Sequence, residues 1–545
     1  MKRRNFLKLS ATASAIGLMP FELNAMLRSV NLNSCDINNR KLVLINLAGG
    51  NDGLNTIIPI NVYDQYANLR PTLKISNTGS NPYITLDNTL GDNQLVGLHP
   101  ALTEFKTLYD QGWMRVLQSV GYPSQNKSHF ASTDLYATGN DGNSWNNGTD
   151  SGWIGRFMEM YYANELSDTY PLAVQIGSNK TSLGFHGEVE HGLAINISGQ
   201  DPSGFYTELN GLGGSPPSVI PNSDYGLELQ YIIDTDNLSN QYSQAISEAF
   251  NNGNNASSYP DTDLSNQLKT VARLISGGLE SKVYMVRIGG FDTHNSQSQG
   301  INTIEGTHNE LLKEVSGAVK TFFDDLDAQT LADDVVGLTF SEFGRKAKEN
   351  GNFGTDHGEI APMFVFGKPV NGGISGTNVD LSEATATNNY QIETVQFDYR
   401  QTFGTLLQNF LGANDAVIDA AFFNHTANQS FSDSKINELI KDSHAVDEGC
   451  YSQTLSADQF NTQDPNKKWF IYPNPVGNTL YVYSSLTYSN FAYKVFNSSG
   501  QIILQGSYEL LDGNLAIDVL PLASGVYFIQ IFSENKKETH KILKL

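Results

Sequence analysis

The chain has 545 residues, of which 39% are hydrophobic and 17% charged; it is too long for one ordinary domain and sits below the charged fraction of about 25% usual in soluble domains. With 28 Phe, 25 Tyr and 4 Trp it carries enough aromatic material for a large core, which excludes a disordered chain. Its 57 acidic and 34 basic residues leave a formal charge of −23, a field that repels nucleic acid and anionic lipid, so no nucleic-acid partner is expected.

Residues 1–26 read as an export signal. Lys2, Arg3, Arg4 and Lys8 form a basic start, Leu9 to Met19 a short apolar stretch, and Asn24-Ala25 a small-residue cleavage site. Arg3-Arg4-Asn5-Phe6-Leu7-Lys8 has the form of a twin-arginine signal. No other run of 18 apolar residues occurs, so no membrane-spanning helix is expected. The two cysteines, Cys35 and Cys450, are too few for a thiolate zinc ribbon; they suit either one disulfide closing a long loop or two unpaired thiols.

Residues 27–439 carry the pattern of an α/β domain. Buried-type strand runs are expected at 41–47, 113–120, 172–176, 283–288, 335–340 and 363–366, and helical periodicity at 264–279, 309–326 and 399–411. Alternation of the two predicts a mostly parallel sheet flanked by helices, with ligands at the carboxyl ends of the strands. Asp52, Asp292, His294 and Glu342 each fall just past such a strand, and Asp356 and His357 lie in the glycine-rich loop GNFGTDHGE. Carboxylates with imidazoles suit Zn, Mn or Fe, and carboxylates alone suit Ca or Mg, so a divalent metal is the expected cofactor. Ser128 opens a predicted helix, where it is either a cap or a nucleophile; His129 beside it is either a ligand or a buried, hydrogen-bonded histidine. Arg156 and Arg345 could each clamp an anion or pair with a neighbouring carboxylate.

Residues 440–468 read as a polar linker, and 469–545 as a small β-sandwich of short strands at 481–483, 492–496, 502–504, 516–519 and 526–531. Tyr472-Pro473-Asn474-Pro475, Asn478-Thr479-Leu480, Val495-Phe496-Asn497, Leu522-Ala523-Ser524-Gly525-Val526-Tyr527 and the closing Lys541-Ile542-Leu543-Lys544-Leu545 occur in order. This resembles the type IX secretion sorting domain of Bacteroidetes, which implies the type IX machinery as a partner and a secreted or cell-surface location reached through the periplasm and outer membrane.

The middle of the chain also carries a resemblance. Leu47-Ala48-Gly49-Gly50-Asn51-Asp52-Gly53, Leu98-His99-Pro100-Ala101-Leu102, Ser128-His129-Phe130, Gly152-Trp153-Ile154-Gly155-Arg156, Gly290-Phe291-Asp292-Thr293-His294, Ser341-Glu342-Phe343-Gly344-Arg345 and Gly354-Thr355-Asp356-His357-Gly358 are similar to the bacterial family labelled domain of unknown function 1501. That likeness implies an alkaline phosphatase-like fold. It makes Asp52 the first-strand metal aspartate, Ser128 the nucleophile, Asp292 and His294 a second ligand cluster, and His357 a late ligand with Asp356 beside it. Phe343 departs from it, standing where a histidine is expected, and neither cysteine lies in the C-x-P-x-R context of a formylglycine sulfatase. Two functions are therefore expected as rivals: a secreted metal-dependent hydrolase of a phosphate or sulfate ester, or another anionic or glycan substrate, and a non-catalytic surface protein that binds a glycan or an assembly partner through a degenerate phosphatase-like site.

Overall fold

The computed structural model describes residues 37–144, 151–162, 169–177, 183–187, 194–197, 242–422, 434–447, 470–472, 479–497, 501–522, 525–533 and 536–544, with 165, 431, 450 and 476 singly. The export signal read at 1–26 and Cys35 lie outside them; Cys450 is disulfide-bonded.

The main sheet comprises β1 (Lys41–Leu47), β2 (Met114–Gly121), β3 (Ala173–Ile176), β4 (Ala194–Ile197), β5 (Val283–Ile288), β6 (Val335–Phe340), β7 (Ala361–Phe366), β8 (Gly373–Ser375) and β9 (Phe397–Asp398). Their order is β8-β2-β7-β6-β1-β5-β3-β4, with β9 also paired to β2. All pairings are parallel except those of β7 with β2 and with β6. All six strands expected from sequence lie in this sheet, and its mixed, mostly parallel character is the one expected.

Alternation along the strands sorts side chains onto two buried faces. Val43, Ile45 and Leu47 of β1 join Tyr284 and Val286 of β5 in one core. That core is closed by α1 (Thr103–Asp110), by α4 (Asp263–Ser276) and by α5 (Thr307–Ala328). Leu42 and Leu44 join Val336 and Leu338 in the other. It is closed by α2 (His129–Thr138), α3 (Trp153–Tyr161), α6 (Tyr399–Asn409) and α7 (Asp415–Ala421). The start of α6 is fixed by a capping box, Asp398 accepting from the first turn while Gln401 reaches back.

The chain stays packed beyond the boundary read at 439. Lys441 N donates to Pro369 O at 2.8 Å and Val446 N to Asn409 O at 2.9 Å. Ile440 and Val446 are buried, so the polar composition there hides two apolar anchors.

Towards the C-terminus, β10 (Phe470–Tyr472), β11 (Thr479–Asn497), β12 (Ile502–Asp518), β13 (Gly525–Ser533) and β14 (Lys536–Lys544) form an antiparallel sheet. It encloses its own core, with Val482, Phe491, Val495, Ile529 and Ile542 among its members. The runs at 481–483 and 492–496 are two ends of the single strand β11, and those at 502–504 and 516–518 two ends of β12. Gly513 pairs with Ser484 beside a register shift, so it marks a bend within a long hairpin.

Candidate metal centre

The centre lies at the carboxyl ends of β1, β5 and β6, where the parallel strands release their loops. Asp292 and His294 follow β5, Glu342 follows β6, and His129 opens α2. His357 arrives on a short antiparallel ladder, Gly344–Arg345 against His357–Gly358.

Three imidazoles converge on the Asp292 carboxylate. Its Oδ1 lies 3.2 Å from His294 Nε2 and 3.2 Å from His357 Nε2, and its Oδ2 lies 3.3 Å from His129 Nε2. One ligand atom each from His129, Asp292 and His357 falls within 4.8 Å of the other two. Each ring is backed on its far side. His357 Nδ1 is 2.7 Å from the Lys127 carbonyl, His129 Nδ1 is 2.8 Å from Glu342 Oε1, and His294 Nδ1 is 3.3 Å from Asp356 Oδ1. A carbonyl or carboxylate only accepts, so each Nδ1 is assigned the proton and each Nε2 its lone pair. That is how metal-binding histidines are held.

The donor set fits a divalent metal. His294 Nε2 and His357 Nε2 stand 2.9 Å apart; two lone pairs this close repel, and a cation between them removes the conflict. Four N and O ligands at 2.0–2.1 Å from a tetrahedral zinc would lie about 3.3 Å apart, close to the carboxylate–imidazole separations above.

Electrostatics follow the contacts. Burial alone would raise the Asp292 pKa, but the hydrogen bond and charge of Arg345, with the charge of His129, bring it down to about 2. The Glu342 hydrogen bond pulls His129 above the usual imidazole value, whereas burial pushes His357 below it. Asp356 is lowered: its burial is outweighed by hydrogen bonds from Asn350, Lys346 and His294.

The remaining expected residues occupy different places. Glu342 faces away from the shared point and accepts the Gly49 N–H at 2.9 and 3.1 Å as well as His129. Gly49 has φ +124°, and a Cβ there would stand 2.3 Å from Asp292 N; only glycine lets the β1 loop pass so close. Asp356 likewise positions His294. Arg345, fully buried, gives its guanidinium to the carbonyls of Gly49, Gly50, Phe291 and Thr355 and to Asp292 Oδ1 at 2.8 Å. It therefore orients the carboxylate. Arg156 reaches the carbonyls of Thr138, Ser151 and Ala421, tying the ends of α2 and α7 to α3. Asp52 is buried against Arg70 Nη1 at 2.5 Å and accepts from Gln297, so it is not brought to the three histidines. Ser128 stands at the N-cap of α2 but makes no side-chain capping bond; it is exposed, and among the described residues its hydroxyl has no hydrogen-bond partner. Phe343 packs its ring 4.8 Å from His129 and 4.5 Å from His357, centroid to centroid, an apolar backing.

A cavity of about 520 Å³ opens from the centre beneath α2. His129, Asp292 and Glu342 stand at one part of its wall, and Tyr136, Trp153 and Phe185 supply much of the rest.

Residues 240–415 match the family described as protein of unknown function (DUF1501), and residues 470–544 match the secretion system C-terminal sorting domain. That sorting domain implies export and an outer-membrane or cell-surface location. No curated protein matches the chain. Among solved structures, similarity is found to a protein in the alkaline phosphatase superfamily from Vibrio parahaemolyticus, at 10% identity over 92% of this chain and 78% of that one, TM-score 0.29. The PsFucS1 sulfatase from Pseudoalteromonas sp. is 10% identical over 94% of this chain and 88% of that one, TM-score 0.32. The lipoteichoic acid synthase LtaP from Listeria monocytogenes is 11% identical over 62% and 68%, TM-score 0.27. Values this low carry no inference about chemistry.

Proposed function

We propose that this exported protein is a hydrolase of phosphate or sulfate esters that works with one divalent metal held by His129, Asp292, His294 and His357. The observation that supports it is the convergence of three Nε2 atoms on one carboxylate, each ring backed at Nδ1. When bound, such a metal supplies Lewis-acid stabilisation of negative charge on the ester oxygens.

The chain's own groups do the rest. Arg345 holds Asp292 in place, and Glu342, Asp356 and the Lys127 carbonyl keep the three rings in one tautomer. Ser128 is the nucleophile of this reading. Its sequence neighbours both touch the centre, Lys127 through its carbonyl and His129 through its ring, and it begins a ten-residue helix whose N-terminal end favours an anion. Its oxygen would bond to phosphorus or sulfur while the ester alcohol leaves with the serine proton. Water would then release the acid anion and restore the hydroxyl.

One observation favours the non-catalytic rival. Asp52, the carboxylate that a two-metal site would draw on, is already neutralised by Arg70. Aryl phosphate and aryl sulfate turnover with added Zn, Mn, Mg or Ca tests the reading. Activity that is lost in both His357→Ala and Ser128→Ala supports it; wild-type protein that holds metal yet turns over neither ester favours the binding protein.

A further inference from the structure

Strands buried on both faces are normally continuous runs of apolar residues. Three polar side chains break that rule on the face that carries the cavity: Asn46 of β1, Gln175 of β3 and Arg287 of β5. Asn46 and Arg287 are direct register partners, and Gln175 is partnered with Met285, two residues before Arg287 on the same face. All three line the cavity.

None of the three is fully satisfied among the described residues. Gln175 is 1% exposed, and its Oε1 has no hydrogen-bond partner; Asn46 Oδ1 is likewise buried without one. The Arg287 guanidinium has neither a hydrogen bond nor an ion pair among the described residues. It is aimed along the strand towards the metal centre: a Cβ at Gly289 would lie 3.5 Å from its Nη1. An arginine stays charged at any working pH. In an aromatic-walled cavity of a chain with net charge −23, an unpaired guanidinium flanked by two unsatisfied amides is out of keeping with its surroundings. It matches an anion that also offers hydrogen-bonding oxygens.

The cavity, at about 520 Å³, falls within the roughly 300–1,000 Å³ of sites that enclose a drug-sized ligand, much more room than a phosphate or sulfate group needs. We propose that this floor binds an acid group on the alcohol half of the substrate, so that the preferred ester is one whose leaving group is a ring bearing a carboxylate. The ring lies against Tyr136, Trp153 and Phe185, and the carboxylate meets Arg287, Gln175 and Asn46. This deepens the hydrolase reading and rests on it for the word substrate; the binding itself does not require turnover.

The test is calorimetric titration of the full chain with 4-hydroxybenzoate and with glucuronate, each against its neutral counterpart, phenol or glucose. The two acids separate an aromatic from a sugar ring. At least one acid should bind roughly tenfold or more tightly than its counterpart. Arg287→Met should erase the difference and Arg287→Lys keep part of it, with metal content unchanged in both. If Arg287→Met does not fold, Gln175→Leu replaces it and should weaken the acid alone. Acids that bind no better than their counterparts, or equally well in the folded Arg287→Met or Gln175→Leu variant, overturn the proposal. Arg287-dependent acid binding without hydrolysis of any ester sinks the hydrolase reading and leaves the subsite standing. Hydrolysis of aryl esters with no preference for a carboxylate-bearing leaving group and no acid binding sinks only the subsite.

Discussion

In the proposed centre three histidines and one aspartate would hold the metal, and each is positioned by a partner of its own: Glu342 for His129, Arg345 for Asp292, Asp356 for His294 and the Lys127 carbonyl for His357. Removing a backing group of this kind typically costs 10–100-fold in metal affinity. Glu342→Gln should therefore weaken metal retention by about that factor without unfolding the domain, as measured by competition with a chelator. Affinity equal to wild type would mean that His129 is not a ligand. Asp52 and Arg70 behave differently. Both are fully buried, so Arg70→Met leaves an uncompensated charge and should destabilise by about 3–5 kcal/mol in urea unfolding. The linear motif Asn51-Asp52-Gly53 could not reveal this pairing, because Arg70 enters from a separate turn. Asp292, His294 and His357 were legible as strand-end and glycine-loop residues. His129 is ambiguous in sequence because its orientation depends on Glu342, 213 positions away.

At the scale of elements, the strand runs and long helices were legible from hydrophobic spacing, since a parallel sheet covered on both faces demands it. The polar interruptions at Asn46 in KLVLINL and Arg287 in VYMVRI were equally visible, and are the signal that could have located the cavity floor. Less legible was the loop connecting β1 to the rest of the sheet, where packing decides polarity. His99 and His308 lie in the buried region behind Asp52, ring centroids 5.9 Å apart. Burial is the first cause that pushes His99 down to about 3 and His308 down to about 4. Both are neutral in the fold, while in the unfolded chain they take up protons below about 6.5. The unfolded state then binds more protons between roughly pH 6.5 and 4, so stability is full above that window and is lost as pH falls through it. Urea midpoints should drop steeply from pH 7 to pH 5 in wild type and less steeply in His308→Gln. Parallel pH profiles would show that His308 does not titrate in this way.

At the scale of the molecule, the apolar core of residues 476–542 is separate from those of the α/β sheet, and the sequence read the two regions apart because strand texture changes after the polar stretch. Deletion of residues 469–545 should leave the main domain folded and able to hold metal but retained in the periplasm, as followed by cell fractionation; normal surface delivery would refute the sorting role. The resemblance of ordered motifs pointed towards a phosphatase-like site, yet spacing alone could not say whether one metal or two would be held. The geometry favours one, because His129, Asp292 and His357 offer ligand atoms within 4.8 Å of one another, His294 adds its Nε2 beside Asp292 and His357, and Asp52 is committed to Arg70. The most direct measurement is the elemental content of full-length protein after gel filtration in metal-supplemented buffer, with His294→Ala and His357→Ala alongside. About one divalent ion per chain, lost from both variants, is the expected result for a single site built from these side chains. Two ions per chain, or one ion retained by both variants, would contradict the assignment of the centre.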